Sequence, residues 1–372
     1  MDFRPTEEQA AATALAARIF RDLATHERLA AAGTGSDAEL WKALTAAGLT
    51  AAVEELGLLG LVLLLEEQGR TTAQVPYAAT CAYGVLPVAV HGSPEQRARL
   101  LPALGSGEAV ATGAFPARRT VTATPDGHLT GTAPAVPWLR DATHVLVPDH
   151  DRTLWFVRTD APGAATRPVE TTAPWSAASL TLTGAPAERL GGPDAYDAVL
   201  AAARTAFAGL QTGVCAGSLA RAVEHTSTRE QFGRPLSTNQ GVMLRAADAH
   251  MDTEAIRVTA YEAAWRIDEG LPAREHALTA AWWASEAGKR VVHAGQHLHG
   301  GMGADLDHPV HRHFLWGRQL DAYLGCGSEL LSELGALISG GEPTSEGKPT
   351  SEGKPAPEED LMPGGEQEGE AA

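Results

Sequence analysis

The segment Arg229-Glu-Gln-Phe-Gly-Arg-Pro-Leu-Ser-Thr-Asn-Gln240 separates two long helical patterns in the C-terminal half of the chain. Four Ala- and Leu-rich helical patterns lie on its two sides, at 195–227, 237–269, 273–299 and about 311–338. Each is much longer than the average helix of about 11–12 residues. We therefore predict four long helices that pack lengthwise as a bundle, in a domain from 192 to 338.

Upstream of the bundle, between about Ala109 and Leu190, the chain is rich in Thr, Val and Pro. Short alternating runs recur there, namely HLTGTA (128–133), HVLVPD (144–149), TLWFVRTD (153–160) and SLTLTG (179–184). Turn sequences such as Pro125-Asp-Gly127 separate them. This pattern predicts a small antiparallel β domain, a sandwich or a barrel, at 109–191.

The first 108 residues show helical patterns again, beginning with Thr6 and an acidic first turn. At the other end, PTSEGK occurs twice in tandem, at 343–348 and 349–354, before an acidic Gly/Pro/Glu stretch. Such a composition cannot form a core, and we predict a disordered tail at 339–372. The fold class expected is α+β: an N-terminal helical domain, a middle β domain and a C-terminal four-helix bundle.

Composition excludes several classes of function. The net charge is −17, and nucleic-acid binding requires clustered Lys and Arg, so we expect no nucleic-acid partner. No apolar run reaches the ~20 residues of a membrane span, and MDFRPTEEQ is not a secretory signal. Three scattered cysteines are typical of free thiols, so we expect a cytoplasmic protein.

Three segments of the C-terminal half resemble the acyl-CoA dehydrogenases, whose α–β–α arrangement matches the predicted order over about 1–338. The Arg-x-x-Phe-Gly signature of that family stands here as Arg229-Glu-Gln-Phe232-Gly233. The family's Gln-x-x-Gly-Gly turn falls on QHLHGGMG (296–303), and DHPVHRHFLWGRQ (307–319) resembles subunits of heteromeric enzymes that shorten sterol side chains.

The resemblance implies a cofactor, FAD, held across a subunit boundary. Arg229 and Phe232 would contact the diphosphate and adenine of a flavin whose ring lies in the neighbouring subunit. The turn with His297, Gly300 and Gly301 would close around the adenosine end. Guanidinium groups suit phosphate oxygens, and bare glycine backbone admits close contact. His297 occupies the glutamine's place, with Gln296 one position early, so that contact is altered.

The catalytic base of the family has no counterpart here. Most members carry a Glu in a Tyr-Glu-Gly-Thr turn, which reads Tyr323-Leu324-Gly-Cys326 in this sequence. Others place the Glu twenty-six residues before the signature arginine, and that position is Ala203, followed by Arg204. Neither leucine nor alanine can accept a proton, so we assign no catalytic residue to this chain.

The middle domain departs from the family as well. The family's Thr-Glu-Pro-x-x-Gly-Ser-Asp loop, which lies against the flavin ring, corresponds to ATGAFPARR (111–119). Of this loop, Thr112 remains as one residue that could donate a hydrogen bond to the flavin. Trp138 corresponds to a tryptophan that packs near the flavin. The half of the site that holds a flavin ring is altered more than the half that reaches across to the neighbour.

Other interpretations of these residues remain. Arg229 could instead form an ion pair at the end of its helix, and Phe232 could instead be an aromatic residue of the core. Five histidines crowd one region and invite a zinc site, at positions 297, 299, 308, 311 and 313. Positions 308 and 311 share a helix face but 313 does not, and zinc needs three or four convergent ligands, so we predict no metal. Asp248 and Asp321 are candidates for a relocated base.

The sequence therefore supports three hypotheses. The first is a non-catalytic subunit of a heteromeric acyl-CoA dehydrogenase, in a heterodimer or α2β2 heterotetramer with a catalytic paralogue. It would act on an acyl-CoA, with a large or polycyclic acyl group such as a steroid suggested by analogy, and with an electron-transfer flavoprotein as a candidate acceptor. The second is a self-sufficient homomeric enzyme with a relocated base. The third is a structural relative that binds no flavin.

Overall fold

The computed structural model describes residues 3–340, and the predicted tail from residue 341 onwards lies outside the described residues. Helices occupy the N-terminal part, as predicted. They are α1 (Glu7–Leu23), α2 (His26–Ala32), α3 (Ala38–Ala46), α4 (Val53–Thr71), α5 (Tyr77–Thr80), α6 (Leu86–His91) and α7 (Pro94–Ser106), with a π-helical turn (Cys81–Val85) between α5 and α6. Thr6 and Ser93 begin α1 and α7 with capping boxes, each paired with a glutamine three residues on.

A seven-stranded sheet follows the helices. Its strands are β1 (Ala111–Gly113), β2 (Val121–Ala123), β3 (His128–Val136), β4 (His144–Pro148), β5 (Leu154–Arg158), β6 (Ala164–Pro168) and β7 (Ala178–Leu190). They run in the order β1-β4-β5-β7-β3-β2, and β6 pairs with β7. The prediction of an antiparallel sheet needs one correction, because β1 and β4 pair in parallel and make it mixed. Alternation of buried Leu and exposed Thr along β3 and β7 fits one buried face.

The C-terminal part contains the predicted long helices. They are α8 (Ala195–Thr228), α9 (Gln240–Asp268), α10 (Arg274–Leu298), α11 (Val310–Tyr323) and α12 (Gly327–Ile338). A hairpin of two short strands, β8 (Glu230–Gln231) and β9 (Arg234–Pro235), joins α8 to α9. The helical N-terminal part, the middle sheet and the C-terminal helices confirm the predicted fold class.

The fourth predicted helix is two helices rather than one. Gly325 has a φ of 120°, which a continuing helix does not tolerate. Cys326 then begins α12 as its cap, and its backbone N–H donates to the Glu329 carboxylate over 3.0 Å. The sequence signal for this break is the Leu324-Gly325-Cys326 turn itself.

Close packing of α8 against α4 holds the helices together. Three glycines recur every fourth residue on α8, at 209, 213 and 217. A Cβ at Gly213 would overlap the carbonyl oxygen of Glu66, and one at Gly217 would overlap that of Arg70. The missing side chains therefore let the two backbones touch, in the way that small residues allow in other closely packed helices.

Helix α8 is long and apolar enough to cross a membrane by length and composition alone. However, 83% of its apolar window is buried inside the protein. That burial is typical of the core helix of a globular protein, since such a helix is hydrophobic on all sides.

Glycine-to-alanine changes at a packed position of α8 and at an open position of α12 should have opposite effects on stability. Gly213→Ala should lower the free energy of unfolding by about 2 kcal/mol or more, because the new methyl group forces two backbones apart. Gly335→Ala, on α12 with nothing within 4 Å of its Cβ, should raise that free energy by about 0.5–1 kcal/mol. Urea unfolding followed by circular dichroism measures both, and a Gly213→Ala protein as stable as the parent would contradict this packing.

Candidate functional site

The Arg229–Gly233 signature forms the hairpin at the end of α8. The Arg229 backbone N–H donates to the His225 carbonyl over 2.8 Å and ends the helix. The Arg229 side chain is exposed. Phe232 and Gly233 form the turn with φ values of 55° and 74°. A left-handed conformation is strained for phenylalanine, and this ring is 100% exposed. The alternative interpretation of Phe232 as a core aromatic is wrong, and its position is typical of a residue that contacts a ligand or partner.

The turn at 296–303 keeps its glycine backbone open. Gly300 has a φ of 62°, and a Cβ at Gly300 or Gly301 would meet nothing within 4 Å. Gly303 is different, because a Cβ there would overlap the Gln296 carbonyl. Gln296 Nε2 also donates to the Gly303 carbonyl over 3.2 Å and fixes the turn. His297 is exposed at the end of α10, so it is the histidine, not Gln296, that faces solvent.

A stack of imidazoles brings the two signatures together. The rings of His225 and His299 lie 4.8 Å apart and nearly parallel, and those of His299 and His308 lie 5.1 Å apart. His225 precedes Arg229 by one helical turn, and His299 directly precedes Gly300. The hairpin and the open turn are therefore joined at one place. Among residues 3–340, no group of three or more His, Cys, Asp or Glu has the arrangement to hold a metal ion.

Both positions expected for a catalytic base are buried and apolar. Ala203 is 0% exposed and Leu324 is 6% exposed. Arg204 contacts the backbone beside them: its Nε donates to the Leu324 carbonyl over 3.3 Å, and its Nη atoms donate to both Glu333 carboxylate oxygens over 3.0 and 2.7 Å. The cavity beside these residues measures only about 20 Å³. It offers no room for an acyl chain.

Three tryptophans fill the interior between the sheet and the C-terminal helices. The ring centroids of Trp138 and Trp175 lie 4.5 Å apart, and Trp316 lies 6.4 and 5.6 Å from them. All three are almost fully buried, and their Nε1 atoms have no hydrogen-bond partner among the described residues. Trp138, expected to pack near a flavin, packs against these two indoles. Nothing in the sequence indicated this, since the three are far apart along the chain.

The aromatic packing continues to a pair of tyrosines. Tyr83 and Tyr323 share a hydrogen bond of 2.9 Å between their hydroxyls. Burial raises the pKa of both phenols, and each lies against the ring of Phe207. These hydroxyls therefore stay protonated at neutral pH and cannot serve as bases.

The space between the sheet and α11 is small. Thr112, expected as a free donor, is buried, and its hydroxyl donates to the Pro137 carbonyl over 2.5 Å. A cavity of about 160 Å³ lies nearby, lined in part by Phe115, Arg118 and Tyr323. Pockets for drug-sized ligands begin at about 300 Å³. This cavity is smaller than such a pocket, whereas Phe232 in the hairpin and Gly300 and Gly301 in the turn are open to solvent.

Neither candidate for a relocated base lines these two cavities. Asp321 accepts from the Ser285 hydroxyl over 2.9 Å and pairs with Arg318 over 3.0 Å. Asp248 is exposed on α9 and lines an open groove there. The residues that line the 160 Å³ and 20 Å³ cavities include no Asp or Glu. In the described part of the chain, neither of these two interior cavities therefore presents a carboxylate to an acyl group.

Comparison with known proteins gives consistent matches across the chain. The family model "Acyl-CoA dehydrogenase, C-terminal domain" matches residues 191–334, and "Acyl-CoA dehydrogenase, N-terminal domain" matches residues 6–108. Acyl-CoA dehydrogenase FadE27 of Mycobacterium tuberculosis is 36% identical over 80% of this chain and 87% of that protein.

Two solved structures are similar in both sequence and fold. One, a variant of the Tcur3481-Tcur3483 steroid ACAD, is 41% identical with a TM-score of 0.86, and the match covers 90% of this chain and 98% of that one. The other, the ChsE4-ChsE5 complex from Mycobacterium tuberculosis, is 32% identical with a TM-score of 0.86, and the match covers 91% of this chain and 99% of that one. The name of each of these structures gives two protein components.

The buried ion pair predicts a stability effect. Glu333→Gln should lower the free energy of unfolding by about 2–3 kcal/mol, because it leaves the buried Arg204 charge without its partner. Asp160→Asn, which breaks the exposed pair with Arg158, is the matched control and should change stability little. Thermal unfolding of the two variants measures the difference. Equal losses of stability would contradict a larger contribution from the Arg204–Glu333 pair than from the exposed pair.

Proposed function

Because this chain belongs to the acyl-CoA dehydrogenase family, we propose that it is a non-catalytic subunit that holds the outer end of a partner's FAD. The partner is a paralogous subunit with an intact catalytic glutamate, in a heterodimer or α2β2 heterotetramer. The complex carries out α,β-dehydrogenation of an acyl-CoA. The single observation that carries the proposal is the contrast between an interior filled by aromatic side chains and an exposed, open cofactor signature.

Within the complex, this chain binds and positions the cofactor but moves no proton. Arg229, at the end of α8, donates hydrogen bonds to phosphate oxygens, and the exposed Phe232 ring packs on the adenine. Gly300 and Gly301 admit the adenosine end without steric conflict, and His297 faces the same side. Gly233 keeps the hairpin turn tight. The flavin supplies a hydride acceptor to the substrate in the partner.

Exposed apolar side chains support a protein partner. Phe232, Met243, Leu244, Met251 and Val258 are 100%, 52%, 57%, 68% and 50% exposed, along the hairpin and α9. The first nine residues of α9 contain no buried position. Large apolar residues clustered on a surface mark interaction sites. The two-component names of the Tcur3481-Tcur3483 and ChsE4-ChsE5 structures are consistent with a paralogue in that role.

The same similarity suggests the substrate class. The Tcur3481-Tcur3483 structure, 41% identical to this chain, is named a steroid ACAD, which favours an acyl-CoA with a polycyclic acyl group. An electron-transfer flavoprotein would then reoxidise the complex. We place the complex in the cytoplasm, since the three cysteines form no disulfide.

Purification tests the proposal against a self-sufficient enzyme. Expressed alone, the chain should be colourless, because the cavity between the sheet and α11, at about 160 Å³, is smaller than the roughly 300 Å³ at which pockets for drug-sized ligands begin. Co-expressed with a paralogue that has glutamate in the place of Leu324, it should yield a yellow complex. Absorbance at the flavin maximum, divided by protein concentration, is the measurement. A yellow homomer that is bleached by an acyl-CoA would overturn the proposal, and no flavin in either preparation would favour a structural role.

Removal of the two hairpin side chains tests their role. Arg229→Ala combined with Phe232→Ala should lower flavin retention in the complex at least tenfold, since a charged hydrogen bond and an aromatic contact together exceed the roughly 1.4 kcal/mol of one decade. Retention after gel filtration is the measurement. Arg18→Ala, an exposed arginine on α1, is the control. Full retention by the double variant would contradict the assignment.

A charge on α9 tests the partner surface. Met251→Asp should weaken the association of the two subunits without affecting the fold, because the side chain is exposed in the single chain and an unpaired charge is costly at an interface. Mass photometry of the complex at decreasing concentration measures the association. His250→Asp, next to it on the helix, is a control for the added charge. Unchanged assembly by both variants would exclude this face.

A further inference from the structure

The imidazole stack at the end of α8 lies within a cationic surface that the proposed cofactor contacts do not use. Arg221, His225 and Arg229 follow each other at four-residue intervals, so they share one face of the helix. His299 stacks on His225 in the middle of this face, and His308 packs against His299 at an interplanar angle of 59°. The C-terminal end of a helix also favours cations. In a chain with a net charge of −17, this cluster is a local exception.

The acidic groups around the cluster are exposed. The charged and titratable groups around it come from α8, the 300–309 segment and α11; they are Arg221, Glu224, Arg229, Asp305, Asp307, His311, Arg312 and His313. Glu224, Asp305 and Asp307 are the acidic groups among them, and all three are exposed. Arg221 is half-buried, and its burial lowers its pKa while Glu224 acts against that. The counter-charge from these segments is therefore limited to exposed carboxylates.

The hydrogen bonds around the rings show which nitrogen of each ring is engaged. His299 Nδ1 is 2.7 Å from the Gly295 carbonyl, which fixes that nitrogen as the donor. The Val310 N–H donates to His308 Nδ1 over 3.3 Å, so the neutral ring carries its proton on Nε2, and a second proton binds at Nδ1 in place of that hydrogen bond. Burial, together with neighbouring His299 and the arginines, lowers the pKa of His225 and of His308. At neutral pH these two rings are mostly uncharged in the free chain.

We propose that His225, His299 and His308 form a proton-linked phosphate site, which binds the diphosphate of the dinucleotide cofactor more tightly as His225 and His308 become charged. This inference rests on the proposed function, because Arg229 places a diphosphate beside the stack. A bound anion favours charged imidazoles, so it raises the pKa of His225 and of His308 above the value in the free chain. Binding then takes up protons.

The direction of the pH effect follows from that linkage. The extra affinity is fully present below the pKa of His225 and His308 in the free chain, which lies under the usual value of about 6.5. It is lost as the pH rises through the higher pKa of the bound state. Uptake of one proton changes affinity by up to about tenfold per pH unit in that window. Affinity should therefore rise between pH 8 and pH 6, by at most about tenfold per pH unit for each proton taken up.

The first arm of the test uses the full chain with inorganic pyrophosphate and with ADP. Isothermal titration calorimetry in two buffers of different ionisation enthalpy should show tighter binding at pH 6 than at pH 8, together with net proton uptake. His225→Asn with His308→Asn should flatten the pH dependence while Arg229 still binds. His150→Asn, an exposed histidine of the β domain, is the matched control and should behave as the parent. Circular dichroism verifies that each variant is folded.

The second arm measures flavin release from the partner complex between pH 6 and pH 8, by the rise in flavin fluorescence. Release should slow as the pH falls for the parent complex and not for the double histidine variant. No binding of either probe at pH 6, or the same pH dependence in the variant, would overturn the inference. A pH effect on pyrophosphate without one on flavin release would overturn the assignment to the cofactor.

The two proposals can fail separately. If removal of Arg229 and Phe232 releases the flavin but pH has no effect through the histidines, the subunit role stands and this inference falls. If pyrophosphate binding takes up protons but the flavin remains after removal of those two side chains, the subunit role falls and the cluster is an anion site of another kind.

Discussion

The contact between α4 and α8 is the constraint on which the rest of the structure depends. Because glycines stand where α8 meets the Glu66 and Arg70 carbonyls, the two backbones approach without side chains between them. That contact buries the middle of α8 in the core. At about 1.5 Å per residue, the roughly 26 residues from Ala203 to Arg229 span about 39 Å of helix. One helix therefore carries the buried Ala203 in the interior and the exposed Arg229 at its outer end.

This separation explains how the interior and the outer end of α8 can have different surroundings. Near Ala203, Arg204 pairs with Glu333, and three tryptophans pack together between the sheet and the C-terminal helices. These contacts stabilise the interior through buried aromatic surface. The outer end of α8 lies far from them, so Arg229 and Phe232 are exposed independently of that packing.

Much of the fold could be predicted from the sequence because its signals are local. Capping residues at Thr6 and Ser93, alternation in β3 and β7, and long apolar helical patterns each depend on neighbours within a few positions. The parallel pairing of β1 with β4 depends on distant segments, and so does the approach of Trp138, Trp175 and Trp316. The break after Leu324 and the four-residue spacing of His225 and Arg229 were visible in the sequence, but only the folded chain shows what they contact.

The exposure of Phe232 has a consequence for the supply of this protein in a cell. The fully exposed Phe232 ring on a strained turn, together with Met251 and its neighbours on α9, gives the unassembled chain an exposed apolar surface. Such a surface favours aggregation and recognition by chaperones and proteases. In the proposed complex the partner covers this surface, so the lifetime of the chain depends on how much partner is present. Synthesis of the two polypeptides in matched amounts, as when one messenger RNA encodes both, is the arrangement that this surface favours.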